Sequence, residues 1–390
     1  MTEPERIAIL AHEKFPDRAK TATGVLRYGD QDVVAVLDRD RAGTRVRDHR
    51  ADLPDAPVVA DFEAARDAAD GDLDALYVGI APIGGGFDDS WRPDVRAAIE
   101  HGCDVVAGLH YFLADDEEFA ALAAEHDVDL VDVRRPPDDL TVAEGRARDA
   151  DATVVLTVGS DCSTGKMTTT LELVGAARER GVDAGFVPTG QTGIMIAGWG
   201  LPVDRVISDF VAGAVERMVL EAAADHDVVF VEGQGSIVHP AYSAVTCGIL
   251  HGAMPDALVV CHEAGREVVH GYESFSLPPT DAIVSLYEEL AEPIAPTRIV
   301  GGALNTAGID DDAAAREAVA AYADALGAPT TDPIRFGVDA VLDELADATA
   351  TEGPGSEAEP DPAPDGTGGA GGSDGADGSG GAGEHGGVDR

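Results

Sequence analysis

Residues 153–169 constrain this chain more than any other stretch. Thr153–Val158 is a run of β-branched and aliphatic residues, and it passes directly into Gly159-Ser160-Asp161-Cys162-Ser163-Thr164-Gly165-Lys166-Met167-Thr168-Thr169. A helical pattern follows, with Leu171, Leu173, Val174 and Ala177 on its apolar side. A strand, a Gly-bounded loop, Gly-Lys and a helix together make the context of a phosphate-binding P-loop. Glycines let successive backbone N–H groups point at one anion, and the helix N-terminus adds its partial positive charge. Lys166 adds a full charge. Gly159, Asp161, Gly165, Lys166, Met167, Thr168 and Thr169 are therefore the expected phosphate-binding residues. The run departs from the common pattern twice. Five residues rather than four separate Gly159 from Gly165, and Met167 stands where a Ser or Thr hydroxyl usually reaches Mg²⁺.

Three further segments belong on the same sheet edge. Val228–Val231 reads as a buried strand ending in Glu232-Gly233-Gln234-Gly235-Ser236. An acid closing a parallel strand beside a P-loop strand is where a metal-holding carboxylate belongs, so Glu232, Asp161 and Thr168 form the expected Mg²⁺ ligand set. Gly190-Gln191-Thr192-Gly193 follows the strand Gly185–Val187 and brings Gln191 to the cofactor. Asn305, after Ile299–Leu304, stands where a P-loop protein of this class reads an adenine-like base.

The first part of the chain alternates strand-like runs (Ile7–Leu10, Val33–Leu37, Leu76–Ile80, Val105–Ala107, Val128–Val131) with Ala-rich helical stretches such as Phe62–Ala69 and Val95–His101. That alternation predicts a doubly wound parallel sheet. The expected fold is α/β with two such domains, Rossmann-like over 1–148 and P-loop over 149–348. Pro136-Pro137 and the charged stretch Thr141–Asp151 form the linker, and 349–390 is a disordered tail. Asp38 closes the second strand, where a dinucleotide ribose would sit. The loop Ala11-His12-Glu13-Lys14-Phe15 lacks the Gly-rich fingerprint, however, and Gly84-Gly85-Gly86 reads as a turn, so a scaffold role is favoured over bound NAD. Beyond Thr351, Gly, Asp, Ser, Pro and Ala dominate and Val388 is the only branched apolar residue, too little to offset ordering entropy.

Charge narrows the partners. Acidic residues number 73 against 27 basic ones, a net charge of −46. Such a surface repels nucleic-acid backbones and anionic lipids, and it fits a proteome adapted to high salt, where screening is short-ranged. A small-molecule substrate is expected, with neither nucleic acid nor membrane as partner; a homo-oligomer stays open. Only Lys14, Lys20 and Lys166 are lysines, which makes Lys166 informative. No apolar run of about 18 residues occurs and the N-terminus is polar, which argues against a membrane span or a secretory signal. Cys103, Cys162, Cys247 and Cys261 show no CxxC spacing, so a reducing cytoplasm is expected.

The loop Gly159–Thr168 with Glu232-Gly233 and Asn305 resembles the dethiobiotin synthetase group, whose loop also carries an extra residue. A denser resemblance is to a family long described only as a domain of unknown function, some of whose members are D-glutamate N-acetyltransferases. It rests on Gly159–Thr170, Thr189–Gly198, Glu232–Ser236 with His239–Ser243, His262-Glu263 with Gly265-Arg266, Asn305–Gly308 and Thr331-Asp332-Pro333. The resemblance covers both domains to about Leu345. It implies a Rossmann-like first domain, a P-loop second domain and acetyl-CoA as donor.

Coenzyme A carries a diphosphate and a 3′-phosphate, so a P-loop can hold it without hydrolysis. Acyl transfer to an amine needs a base, oxyanion donors and cationic partners for acceptor carboxylates. Lys166, Glu232 and His239 are the catalytic candidates, with His239 first as base because it lies just beyond the Glu232 loop. Arg266 and Arg335 are the carboxylate-binding candidates. His262 and Glu263 are strand neighbours pointing apart, so no zinc site is assigned. The expected activity is an N-acetyltransferase using acetyl-CoA on an amino acid such as D-glutamate. The alternatives are an ATP- and Mg²⁺-dependent ligase and a nucleotide-binding regulator without turnover.

Overall fold

The alternating pattern resolves into two parallel sheets, each covered by helices on both faces. The structure is a computed structural model and describes residues 4–350 apart from 81, 83 and 84. The first sheet contains β1 (Arg6–Leu10), β2 (Asp32–Leu37), β3 (Val58–Val59), β4 (Ala75–Val78), β5 (Asp104–Ala107) and β6 (Leu130–Asp132). Its spatial order is β3-β2-β1-β4-β5-β6, with every neighbouring pair parallel. That is the order of a doubly wound dinucleotide-type sheet. The two-residue β3 is too short to leave a hydrophobic run in the sequence. The Gly-rich tail and Gly84 lie outside the described residues.

The second sheet contains β7 (Thr153–Gly159), β8 (Ala184–Val187), β9 (Val228–Val231) and β10 (Ala257–Glu263). A small antiparallel hairpin, β11 (Val268–Val269) and β12 (Tyr272–Ser276), interrupts the chain before β13 (Arg298–Asn305) and β14 (Thr330–Thr331) complete the sheet. The order is β14-β13-β10-β7-β9-β8, again parallel throughout. The P-loop strand β7 is thus flanked by β9, which delivers Glu232, and by β10, which delivers His262 and Glu263. Six of the seven residues of β7 are buried, as expected for a strand covered on both faces.

The two halves share apolar surface. Met167, Met195 and Ile196 of the second half belong to the hydrophobic cluster of the first. The helix Lys20–Tyr28 lies against the helix Gln191–Ala197, where the buried hydroxyls of Thr21 and Thr192 hydrogen-bond at 2.8 Å. Tyr28 also donates to Glu172 at 2.8 Å. The segment 141–151, expected to be a linker, is pinned to the second half. Glu216 accepts the backbone N–H groups of Glu144 and Arg146 at 2.8 and 2.6 Å, and Ala147 is buried in the second core. Asp38 is fully buried and accepts from the N–H groups of Phe15 and Asp40, so its carboxylate serves its own loops.

Candidate active site

The P-loop forms as the sequence predicts and reveals what its unusual residues do. Gly165 adopts φ +99°, open to glycine without strain, and the helix Lys166–Glu179 starts immediately after it with no side-chain cap. Its first N–H groups are therefore directed into the loop. Lys166 is 7% exposed and donates to the carbonyl of Asp161 at 2.8 Å. Burial pushes its pKa down. A Cβ on Gly159 would sit 2.7 Å from the Lys166 ammonium, and one on Gly233 would sit 1.8 Å from the Thr157 carbonyl and 3.3 Å from Lys166 Cδ. These two glycines are what allow the lysine to lie against the end of β7 and the segment following Glu232.

Asp161 is engaged inside the loop, and with Cys162 and His239 it forms a group whose ligand atoms lie close enough to hold a metal ion. Asp161 is fully buried, accepts from the Cys162 and His270 N–H groups at 2.7 Å each, and pairs with Arg266 at 3.2 Å. Arg266 also donates to the Cys162 carbonyl at 2.6 Å and to Glu263. Its expected role as a substrate carboxylate clamp is thereby corrected: its guanidinium braces the P-loop. His262 Nδ1 and the Ser160 hydroxyl hydrogen-bond at 2.7 Å, and the ring stacks on Tyr322. The buried Tyr287 hydroxyl donates to the Gly159 carbonyl at 2.7 Å and accepts from the Ile237 N–H at 3.1 Å, which ties the P-loop strand to the segment after Glu232.

Glu232 is 4% exposed. Its Oε2 accepts the N–H groups of Thr189 and Gly190 at 3.2 and 3.3 Å, and its Oε1 accepts the Gln234 amide at 2.9 Å. Burial nevertheless pushes its pKa up. A Cβ on Gly193 would lie 2.5 Å from Oε2, so the start of the helix Gln191–Ala197 fits closely against the carboxylate. His239 is 2% exposed and stacks on Tyr242; a ring nitrogen lies within 4.8 Å of Cys162 Sγ and an Asp161 oxygen. Its Nδ1 accepts the Ala241 N–H at 3.1 Å, which in the neutral ring leaves the proton on Nε2. This geometry makes His239 a donor and argues against its expected role as base.

A cavity of about 590 Å³ gathers some of these parts, with Asp161, His239 and Arg266 outside its lining. Its lining includes the P-loop from Cys162 to Met167, Gln191, Glu232 and Gln234, and the first half closes it with Lys20, His110 and Arg134. Arg134 is held by the Gly108 carbonyl at 2.8 Å and by Asp204 across the seam. Lys20 is close enough to matter electrostatically: it opposes the burial that raises Glu232 and reinforces the burial that lowers Lys166. None of these three residues carries a motif, and only the docking of the halves brings them in. The scarcity of lysine was the one signal in the sequence, and it drew attention to Lys166 alone.

A second cavity of about 370 Å³ lies on the other side of Met167, with Thr168, Asn305, Asp332 and Arg335 on its wall. Met167 and Lys20 line both cavities. The expected Mg²⁺ set is therefore not gathered: Thr168 opens onto the smaller cavity, Glu232 onto the larger, and Asp161 is enclosed. Arg335 sits beside Asn305 and not with Gln191 and Glu232. Thr169 faces inward, accepting from Cys261 Sγ at 3.5 Å. Met167 itself is 5% exposed, filling the seam in the place of a metal-binding hydroxyl. All four cysteines are free thiols, and no described helix is long and apolar enough to cross a membrane.

Comparison with known proteins gives one consistent picture. Residues 141–342 match the family model described as the DUF1611 C-terminal P-loop domain, and residues 39–136 match the DUF1611 N-terminal Rossmann-like domain. A D-glutamate N-acetyltransferase from Pseudoalteromonas sp. is 38% identical over 69% of this chain and 80% of its own length. One from Tritonibacter scottomollicae is 37% identical over 70% of this chain and 80% of its length. The crystal structure of a DUF1611 family protein from Anabaena variabilis superposes with a TM-score of 0.82 at 39% identity, covering 88% of this chain and 99% of that one.

Proposed function

From the fact that this chain belongs to the DUF1611 family, whose members join a Rossmann-like domain to a P-loop domain, we infer that it is an amino-acid N-acetyltransferase moving acetyl from acetyl-CoA to the amine of D-glutamate. The observation that carries this reading is the larger cavity, where an anion cradle and a buried carboxylate face cations contributed by the other domain. The cradle suits the donor diphosphate, with the helix N-terminus and Lys166 supplying the charge. Lys20 and Arg134, the latter shared with Asp204, suit the carboxylates of the acceptor, and His110, whose pKa burial pushes down, offers a neutral hydrogen-bonding group.

Glu232 takes the role of base in this arrangement. It removes a proton from the acceptor ammonium, the freed amine bonds to the thioester carbonyl carbon, and the carbon–sulfur bond breaks. The nitrogen gives up its second proton as the amide forms, the departing sulfur ends with that proton and Glu232 returns the first to solvent, so the products are the N-acetyl amino acid and free coenzyme A. A buried carboxylate with a raised pKa is a stronger base than an exposed one, which suits it to this task. His239, with a proton on Nε2, stands as a donor beside the loop. Magnesium takes no step in this reading, because Thr168 and Glu232 line different cavities and Asp161 lines neither. That same observation weighs against an ATP-dependent ligase.

The test is thiol release from acetyl-CoA on addition of D-glutamate, with the N-acetyl product identified by mass spectrometry. Absence of release across D- and L-amino acids, in a folded sample, would refute the assignment. Acceptor-dependent ADP formation from Mg-ATP would replace it with the ligase reading.

A further inference from the structure

We propose that the smaller cavity is a second anion subsite that takes the phosphomonoester of a 3′-phosphorylated adenosine. The donor then straddles Met167, with its diphosphate in the P-loop and its nucleoside end between Asn305, Arg50 and Arg335. This deepens the acetyl-CoA assignment and rests on it.

The cavity inverts the charge of the molecule. The whole chain carries 73 acidic and 27 basic residues, yet this wall carries Lys20, Arg27, Arg50 and Arg335 against a single acid, Asp332. Asp332 is already engaged: one oxygen accepts Thr306 N–H and hydroxyl, the other accepts the N–H groups of Ile334 and Arg335. Arg27 and Arg50 share one carboxylate, that of Asp52, which leaves a positive charge over. Arg335 is held loosely, at 3.4 Å from the Thr306 hydroxyl and the Asp310 carbonyl and 3.7 Å from an exposed Asp312. Its fork is free to turn onto a phosphate, the ligand a guanidinium matches best.

Base recognition sits alongside. Asn305 Oδ1 accepts the Ala307 N–H at 3.0 Å, which leaves the side-chain NH₂ as a donor at the cavity wall. The volume falls in the range of small-molecule sites. Lys20 and Met167 belong to both walls, so the two cavities adjoin at these two side chains, where one extended ligand would cross. A nucleoside triphosphate carries its phosphates on the 5′ side alone. It would load the P-loop and leave the surplus positive charge of this wall without a phosphate.

Calorimetric titration of the full chain with coenzyme A and with 3′-dephospho-coenzyme A tests the subsite directly. The phosphorylated form is expected to bind about 10- to 100-fold tighter, the size of one charge-assisted contact. In Arg50→Ala/Arg335→Ala that ratio falls toward one, and Arg335→Lys retains part of it. Arg335→Ala alone carries the test if the double variant does not fold. Equal binding of the two ligands to the unmodified protein, or an unchanged ratio in the variants, overturns the proposal. Thiol release with D-glutamate but no ratio sinks the subsite and leaves acetyl transfer standing. A ratio without thiol release does the reverse.

Discussion

Replacing Met167 with Ala tests whether the phosphate-binding helix and the first domain share one core. Met167 is 5% exposed, belongs to the first domain's hydrophobic cluster, and its Cε lies 3.6 Å from where a Cβ on Gly24 would stand. Truncation removes three heavy atoms from a packed seam and should cost roughly 2–5 kcal/mol. Met167→Leu, which nearly conserves volume, should cost less than about 1.5 kcal/mol. The two tryptophans make the assay informative. Trp91 is buried in the first domain and Trp199 packs on the second core, so Trp91→Phe and Trp199→Phe backgrounds report each half by fluorescence during urea unfolding in concentrated KCl. The unmodified seam predicts coincident transitions, and Met167→Ala predicts that they separate. A loss below about 1 kcal/mol, no more than an ordinary substitution, would refute the shared core.

Four further outcomes follow from the geometry. Lys166→Ala should weaken coenzyme A binding about 10- to 100-fold in calorimetry, since a charge-assisted contact to the phosphates is lost. Glu232→Gln should lower kcat by about 100-fold or more if Glu232 is the base. Because burial raises its pKa, the protonated, inactive form persists above the ordinary carboxylate range, so unmodified activity should fall as pH drops through a midpoint above that of exposed glutamates. The same variant should flatten that limb in a pH–rate profile. Gly193→Ala places a methyl 2.5 Å from Glu232 Oε2 and should depress kcat while circular dichroism stays native-like. Arg266→Ala leaves Asp161 buried without its cation and should destabilise the protein by about 3–5 kcal/mol, read from urea midpoints.

Local chemistry was legible in the sequence to the extent that it was local. The P-loop announces itself because strand, glycines, lysine and helix are contiguous, and Glu232 because it ends a strongly apolar run. The alternation of elements gave both parallel sheets. What escaped was everything set by distant packing. Lys20, His110 and Arg134 reach the cavity only through the docking of one domain on the other. Arg266 read as a carboxylate-binding candidate because its partners at Asp161 and Cys162 are about a hundred residues away, although Glu263 three positions earlier was a visible hint. His239 was placed beside the right loop, but its tautomer depends on the Ala241 N–H, which no side-chain pattern reveals. Met167 read as a missing metal ligand when its job is to fill space.

The methionine in the seam also bears on how the molecule can be taken apart. A fragment beginning near Thr153 would keep every residue of the nucleotide motif, yet it would bare Met167, Met195 and Ile196 to water and forfeit the cation at position 20. Such a truncate should be sticky and poor at holding its ligand, however complete its fingerprint looks on paper. The P-loop half and its companion are best expressed together.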